Sequence, residues 1–557
     1  MLENLDTIEW GNLQHAYGDA SDVPDLIRAL ASDNEDERKN AYWKLHGNIV
    51  HQGSVYEAAA YAVPFFIELL KHDNISDKGS LLGLLSTLAQ GGSWHESHQY
   101  VDWLFKNERD TPEFQEKVSV EVSYVKATYE AVIKDYELYL TFLSHEDSQV
   151  RYEAVELLSN CGRFTDVIEP HLRQSILNEP KFALRPTYLL ALKYLWLHPD
   201  YRIWQDDLTG EQKSYFLDLF RNSEHISLRY GAALALANLA DEKLAVELLG
   251  LFEKIAWMDF EEQQEIGFSF FEIQQNLRNH HPQLTYEFFR KVARHPEPIV
   301  RQESISALEY FGVNYRPAVE EVISILVDMI KSEHEELTGL IHERVARTLS
   351  MMGLYARPYL VDLKNILDVG GRSSKFALQD VIENRWTLDA LLNRQEILDE
   401  PVDDLVQSLI DISQLETLKE RSKFAKRIKN IIYTLEQRGE PISDAVAPML
   451  KIIDTYNDYW TPIFAARAIY AIDPSQHELV FNVLMRELRP GPPSVIVVDS
   501  LRKMGKYADS ALDILRKIAQ HDYRFMRFSH SSTINADEAL QVEVKKAIQA
   551  IESASND

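Results

Sequence analysis

At 557 residues, with 45% hydrophobic and 26% charged side chains, the chain can bury a large core, and its 21 glycines and 20 prolines form no Pro- or Ser/Gly-rich linker between independent domains. The net charge of −29, from 87 acids against 58 bases, disfavours nucleic acid and anionic membranes as partners and favours basic ones. A single cysteine, Cys161, excludes an intramolecular disulfide and a Cys-based zinc site, and no apolar run reaches the 18 residues of a membrane span.

The opening, Met1–Trp10, carries early acids and neither a basic stretch nor an apolar core, so a secretory signal is not expected and a cytoplasmic location is. From Asp22 onward a helical pattern recurs. Four related phrases, Asp36-Glu-Arg38-Lys-Asn-Ala41, Ser148-Gln-Val-Arg151-Tyr-Glu-Ala154, Ile226-Ser-Leu-Arg229-Tyr-Gly-Ala232 and Pro298-Ile-Val-Arg301-Gln-Glu-Ser304, each follow a polar, turn-favouring stretch. The small residue three after each arginine allows close helix approach, and apolar residues follow at helical spacing, as in Ala232, Leu234, Leu236 and Leu239. A second phrase occurs three times: Leu308-Glu-Tyr-Phe-Gly312, Leu349-Ser-Met-Met-Gly353 and Leu501-Arg-Lys-Met-Gly505, read as a helix end, a glycine cap and the next helix start. The glycines stand 41 and 152 residues apart, near one and four periods of about 38, the spacing of a two-helix repeat. Segments 163–212 and 367–460 depart from both phrases, and Glu552–Asp557 reads as a short frayed tail.

Together the acid-rich turn, the Val/Ile-Arg-x-x-Ala phrase and the apolar-Gly phrase resemble HEAT repeats, in particular bacterial repeats similar to those of phycobilisome lyases. The resemblance runs from about Asp22 to about Ala550 and is strong near 22–70, 139–162, 213–250, 285–366 and 461–518. Trp10-Gly-Asn-Leu-Gln-His-Ala-Tyr17-Gly18, with His51-Gln-Gly-Ser-Val-Tyr56-Glu57 and Ala62-Val-Pro64-Phe, also resembles the start of a group of bacterial HEAT-repeat proteins. What this implies is an all-α fold: a right-handed, curved HEAT-type solenoid of roughly a dozen stacked antiparallel helix pairs. It is expected to run as one continuous body over residues 1–557, with an N-terminal part at about 1–162 and C-terminal repeats at about 461–550. The resemblance names a fold and not an activity.

Candidate binding residues come from turns of unusual polar content. His51, Gln52 and Tyr56 lie in a glycine-containing turn between two apolar helical runs, a place for a hydrogen-bonding patch or simply a helix-capping turn. Acidic clusters contribute Asp259, Glu261 and Glu262, and Glu335 and Glu336, which suit a basic partner surface or a solvated turn. His95 and His98 stand at i and i+3 but lack the His-Glu-x-x-His pattern of a zinc protease, and no metal or cofactor is expected. The one concentrated basic stretch, Lys419–Lys429, is read as a helix with Phe424, Ile428, Ile431 and Leu435 buried and Lys423, Lys426 and Arg427 outward. No phosphate-binding glycine loop, nucleophile elbow or Cys/His nucleophile pattern occurs.

The expected function is therefore non-catalytic binding of a protein through the concave face of the array. A basic partner fits best, such as a nuclease toxin neutralised in the manner of HEAT-type immunity proteins. One alternative is a scaffold or assembly subunit of a larger complex. The other is an enzyme resembling HEAT-like alkylpurine DNA glycosylases, for which the net charge has the wrong sign and no matching residues are found.

Overall fold

The computed structural model describes residues 1–100, 105, 108–332, 338–366, 379, 381–385, 387–415, 423–438, 442–455, 460–488, 494–524 and 533–556. They form two compact units, Met1–Phe288 and Phe289–Asp557. Among the described residues the only named strands are two short antiparallel hairpins, β1 (Gln14–His15) with β2 (Gly18–Asp19) and β3 (Val50–His51) with β4 (Ser54–Val55). The fold is all-α.

Unit 1 contains helices α1 (Val23–Ala29), α2 (Glu35–Asn48), α3 (Glu57–Leu70), α4 (Lys78–Gln90), α5 (Trp94–His98), α6 (Pro112–Ile133), α7 (Ser148–Leu158), α8 (Thr165–Asn178), α9 (Arg185–Leu197), α10 (Gly210–Asn222), α11 (Ile226–Ala237), α12 (Glu242–Ala256), α13 (Phe260–Ile266) and α14 (Phe270–Leu277). Helices α4, α7, α9, α11 and α14 pack side by side in that order, and α8, α10 and α12 cover them from behind. This is a two-layer helical-repeat solenoid: no pair buries its apolar stripe alone, and stacking makes one core. The stripe of α7, for example, is Val150, Ala154, Val155, Leu157 and Leu158, all buried. Side-chain caps fix the helix starts. Asn34 accepts from the Asp36 and Glu37 amides, Asp147 from Gln149, and Thr209 with Gln212 completes a capping box. Where α9 meets α11 a Cβ on Gly231 would come within 2.6 Å of Pro186 Cα, so the helices touch backbone to backbone there.

The recurring arginine has a structural task. Arg38, Arg151 and Arg301 each donate to the carbonyl six residues earlier, Ser32 O at 2.8 Å, His145 O at 2.8 Å and His295 O at 2.6 Å. The side chains of those same three residues accept the amide two positions on, from Asn34 at 3.2 Å, Asp147 at 3.1 Å and Glu297 at 3.0 Å. The turn is thus held from both sides, which satisfies backbone groups that a helix end leaves open. Arg229 varies the theme by donating to Phe220 O at 3.0 Å.

Unit 2 contains α15 (Pro298–Asn314), α16 (Val319–Ser332), α17 (Thr338–Met351), α18 (Ala425–Arg438), α19 (Ser443–Thr455), α20 (Trp460–Ile472), α21 (His477–Leu488), α22 (Val495–Met504), α23 (Leu512–Gln520) and α24 (Thr533–Asn556). Helices α18, α20, α22 and α24 form one layer, with α19, α21 and α23 packed against it. Unlike an open array, this unit brings its last helix back to its first: α24 packs on α15, Arg316 donates to Asp537 at 2.8 and 2.9 Å, and buried Arg524 donates to Gly312 O and Val313 O.

Three details differ from the sequence expectation. Gly353 (φ +54) and Gly505 (φ +55) do end their helices in a conformation that favours glycine, but Gly312 lies inside α15. A Cβ there would come within 2.7 Å of Met352 Cε and 2.9 Å of Val322, so this glycine serves close packing rather than capping. Helix α24 continues to Asn556, and Ser555 Oγ donates to Asp509 at 3.0 Å, so residues 552–556 are helix and not a frayed tail. Within 163–212, where the phrases fade, α8 and α9 still form a regular pair.

Candidate functional site

The turn predicted from His51, Gln52 and Tyr56 is the β3–β4 hairpin, a two-residue connection with positive φ at Gln52 (+50) and Gly53 (+83). Gln52 is exposed, the His51 ring meets Tyr17 edge to face at 5.4 Å, and Tyr56 stands at the start of α3. Burial, and then the nearby Glu121 carboxylate, raises the Tyr56 hydroxyl above its ordinary range. The hairpin also ties down the segment after α4: Gly92 N donates to Gly53 O at 2.8 Å and Val55 N to Gly92 O at 2.9 Å. Gly91 has no room for a side chain, since a Cβ would lie 2.1 Å from Val55 Cγ2.

Asp259, Glu261 and Glu262 are exposed at the start of α13, where carboxylates are favoured by the helix dipole. Helix α13 packs on α11 and on residues 182–184, whereas the hairpin packs on α2. The two predicted groups are therefore held by different elements. Glu335 and Glu336 lie outside the described residues. His95 and His98 turn to separate partners, Glu121 Oε1 at 2.6 Å and Trp94 O at 2.8 Å, and among the described residues no three His, Cys, Asp or Glu are grouped to hold a metal. In the basic stretch Lys419–Arg421 lie outside the described residues. Ile428, Ile431 and Leu435 are buried as expected, but Phe424 precedes the helix and is exposed. Arg427 is paired with Glu400 at 2.8 Å and Lys426 with Glu396 at 3.3 Å, so these two cations are already engaged.

The most unusual chemistry lies elsewhere, on the layer α4, α7, α9, α11 and α14. Glu153 and Glu156, three residues apart on α7, share one helix face. Burial, and then Glu153 and Glu272, push the Glu156 carboxyl up to about 7. Glu153 is raised by burial although Gln149 Nε2 donates to it at 2.8 Å, and Glu272 on α14 is raised by burial although Asn276 Nδ2 donates at 3.3 Å. Gly83 on α4 leaves the space that Glu153 fills, since a Cβ there would lie 2.9 Å from its Oε2. Lys193 on α9 is 1% exposed, is pushed down to about 8 by burial, and donates to Asn238 Oδ1 at 2.6 Å. The layer therefore holds three partly buried carboxylates against one lysine, and that lysine bonds to an amide. Sequence reasoning missed them because Glu is abundant; the available signal was a Glu-x-x-Glu pair within a repeat helix.

Beside Glu156 opens a cleft of about 800 Å³ in unit 1, walled by Gly91 and Gly92, Tyr129, Tyr194, His198 and Trp204. The loop after α9 forms one side. Its Asp200 is paired with Arg163 at 2.7 Å, and its Arg202 (φ +54) reaches Glu96 through two bonds of 2.7 and 2.5 Å. Such a non-glycine conformation persists only where its surroundings hold it. The His198 ring touches Trp204 (centroids 3.6 Å apart) and Tyr194 (5.7 Å), and burial lowers its pKa by disfavouring the charged imidazole. Tyr129 stacks obliquely on Tyr201 at 5.3 Å.

Comparison with protein-family models and with curated proteins finds no match. Among solved structures, the chain is 10% identical to a chain of a homology model of the full-length AP-3 complex in an intermediate open conformation, covering 96% of this chain and 92% of that one at a TM-score of 0.28. It is 11% identical to a chain of a structure of Kap95p bound to RanGDP (96% and 68% covered, TM-score 0.32). It is likewise 11% identical to yeast importin-beta, Kap95p (95% and 67% covered, TM-score 0.31). At such scores the likeness carries no argument about function, which rests on the site itself.

Proposed function

We propose that this chain is a non-catalytic binding protein whose unit 1 carboxylate layer receives a basic partner protein. The observation that carries this reading is the set Glu153, Glu156 and Glu272, desolvated on one layer without a cation paired to them among the described residues. A carboxylate withdrawn from water without a counter-charge is costly, and an incoming lysine or arginine recovers that cost. Tyr42 and Trp43 on α2 extend the surface: Tyr42 is half-buried with Glu153 as its largest charged influence, and Trp43 is exposed. The net charge of −29 steers a basic protein towards such a surface. A partner of the nuclease-toxin kind, neutralised in the cytoplasm by a continuous array, is the sharper form of the proposal.

Cys161 itself does not supply a nucleophile, because it is fully buried and burial pushes its thiol up, away from the reactive thiolate. The test is fluorescence anisotropy of a labelled arginine-rich peptide and a neutral peptide of equal length, at low and high salt. Binding of the basic peptide alone, lost at high salt and lost in the Glu153→Gln, Glu156→Gln, Glu272→Gln triple variant, is expected. Unchanged binding in the triple variant, or none by the wild type, would sink it.

A further inference from the structure

We propose that the cleft of unit 1 is an arginine pocket, taking one guanidinium group stacked on Tyr194 and Trp204 and paired with the Glu156 carboxylate; the proposal rests on the reading of this layer as the seat of a basic partner. The parts are all in the cleft wall. Trp204 is 69% exposed, so the pocket is open to a side chain arriving from outside, and Tyr194 is also exposed. His198 lies between the two rings, edge-on to Trp204 and oblique to Tyr194, and its burial disfavours the cationic imidazole that would repel a guanidinium. The Glu156 carboxylate has no hydrogen-bond partner among the described residues, so its oxygens are free to accept.

The same chain shows what such parts do when a guanidinium is supplied. On α8 and its neighbours, the Arg173 guanidinium lies 3.9 Å from the Tyr215 ring centre and 5.3 Å from that of Trp196, and its Nε donates to Glu169 at 2.8 Å. Trp196 Nε1 donates to the other Glu169 oxygen at 2.7 Å. That group is a tryptophan, a tyrosine and a carboxylate closed around an arginine. The cleft offers tryptophan, tyrosine and carboxylate with the arginine missing. The nearby Arg202 does not supply it, since both its terminal nitrogens are spent on Glu96 and its guanidinium lies over Tyr201 at 5.2 Å. Chemistry favours guanidinium over ammonium: it is flat, weakly hydrated, stacks on ring faces and presents parallel N–H groups to a carboxylate.

The test compares an arginine-rich peptide, the same peptide with every arginine replaced by lysine, and N-acetyl-arginine amide as a competitor. Wild type, Trp204→Ala and Glu156→Gln proteins are used, with their helical content checked by circular dichroism. The proposal expects the wild type to bind the arginine peptide about tenfold or more tighter than the lysine peptide, and each substitution to erase most of that preference. If Trp204→Ala, whose exposed side chain leaves the core intact, preserves the preference, the pocket is overturned while the carboxylate layer stands. If neither peptide binds the wild type but N-acetyl-arginine amide does, and Trp204→Ala abolishes it, the pocket stands with a free cation as its ligand and the layer reading fails. No binding of peptide or amide overturns both.

Discussion

Two regions bury charge in opposite ways. In unit 2, Arg467, only 4% exposed, lies between Glu436 at 2.6 Å and Asp499, and Lys503 and Arg502 add further bonds to the same two carboxylates. Burial alone would raise the Asp499 carboxyl, yet Arg467 and Arg502 outweigh it and hold the group below its ordinary range. In unit 1, Glu153, Glu156 and Glu272 form no ion pair among the described residues, Lys193 offsets the rise at Glu272 only in part, and burial prevails in all three. The lesson is that a buried carboxylate serves the fold where its counter-ion is built in, and stays available to a partner where it is not.

The widest break in that contrast is Arg467→Met, which strands Glu436 and Asp499 without their central cation. A loss of about 3–5 kcal/mol is expected, read from the denaturant midpoint. The opposite sign is expected in unit 1. Because the Glu156 carboxyl is raised, the folded state holds its proton more tightly than the unfolded state, so the stability it contributes is present at low pH and lost as pH climbs from about 4.5 to about 7. Glu153 and Glu272 add to the rise at Glu156, and Lys193 acts on Glu272. Glu156→Gln should therefore match the wild type near the lower limit and exceed it above the upper one by up to about 3 kcal/mol, measured as unfolding free energy across that range. A variant less stable than the wild type at alkaline pH would mean that Glu156 has a structural counter-ion after all. Gly91→Ala sharpens the same region through packing: displacing Val55 should cost about 1–3 kcal/mol and weaken peptide binding by shifting the cleft wall, seen by calorimetry of both. The smallest effect belongs to the predicted acidic turn. Replacing Asp259, Glu261 and Glu262 by their amides should cost at most about 0.5 kcal/mol each and leave peptide affinity unchanged; a lost affinity would move the binding surface to α13.

Much of the fold was legible because repeats write the same physics several times. The arginine phrase marked four turns, and the contacts of Arg38, Arg151 and Arg301 explain why an arginine stands there. The apolar-Gly phrase marked three places, yet one motif proved to hold two roles, capping at Gly353 and Gly505 and close packing at Gly312. Phe424 shows the same limit: spacing places it on a buried stripe, but the helix begins after it. For the site, the His51 turn was legible from its glycine and polar residues, and it does buttress one wall of the cleft through Gly53 and Gly92. Glu153, Glu156 and Glu272 were not, since nothing in a glutamate's neighbours along the chain tells whether a cation will face it.

By itself, then, the sequence determined an all-helical chain of repeated pairs, the turns between them and an excess of negative charge, because periodicity, capping and composition are local or additive properties. Only the tertiary structure decided which carboxylates lose water, which of them meet an arginine, and where Tyr194, His198 and Trp204 line a common cleft. Desolvation and pairing depend on what arrives from other helices, and that is a property of packing rather than of sequence spacing.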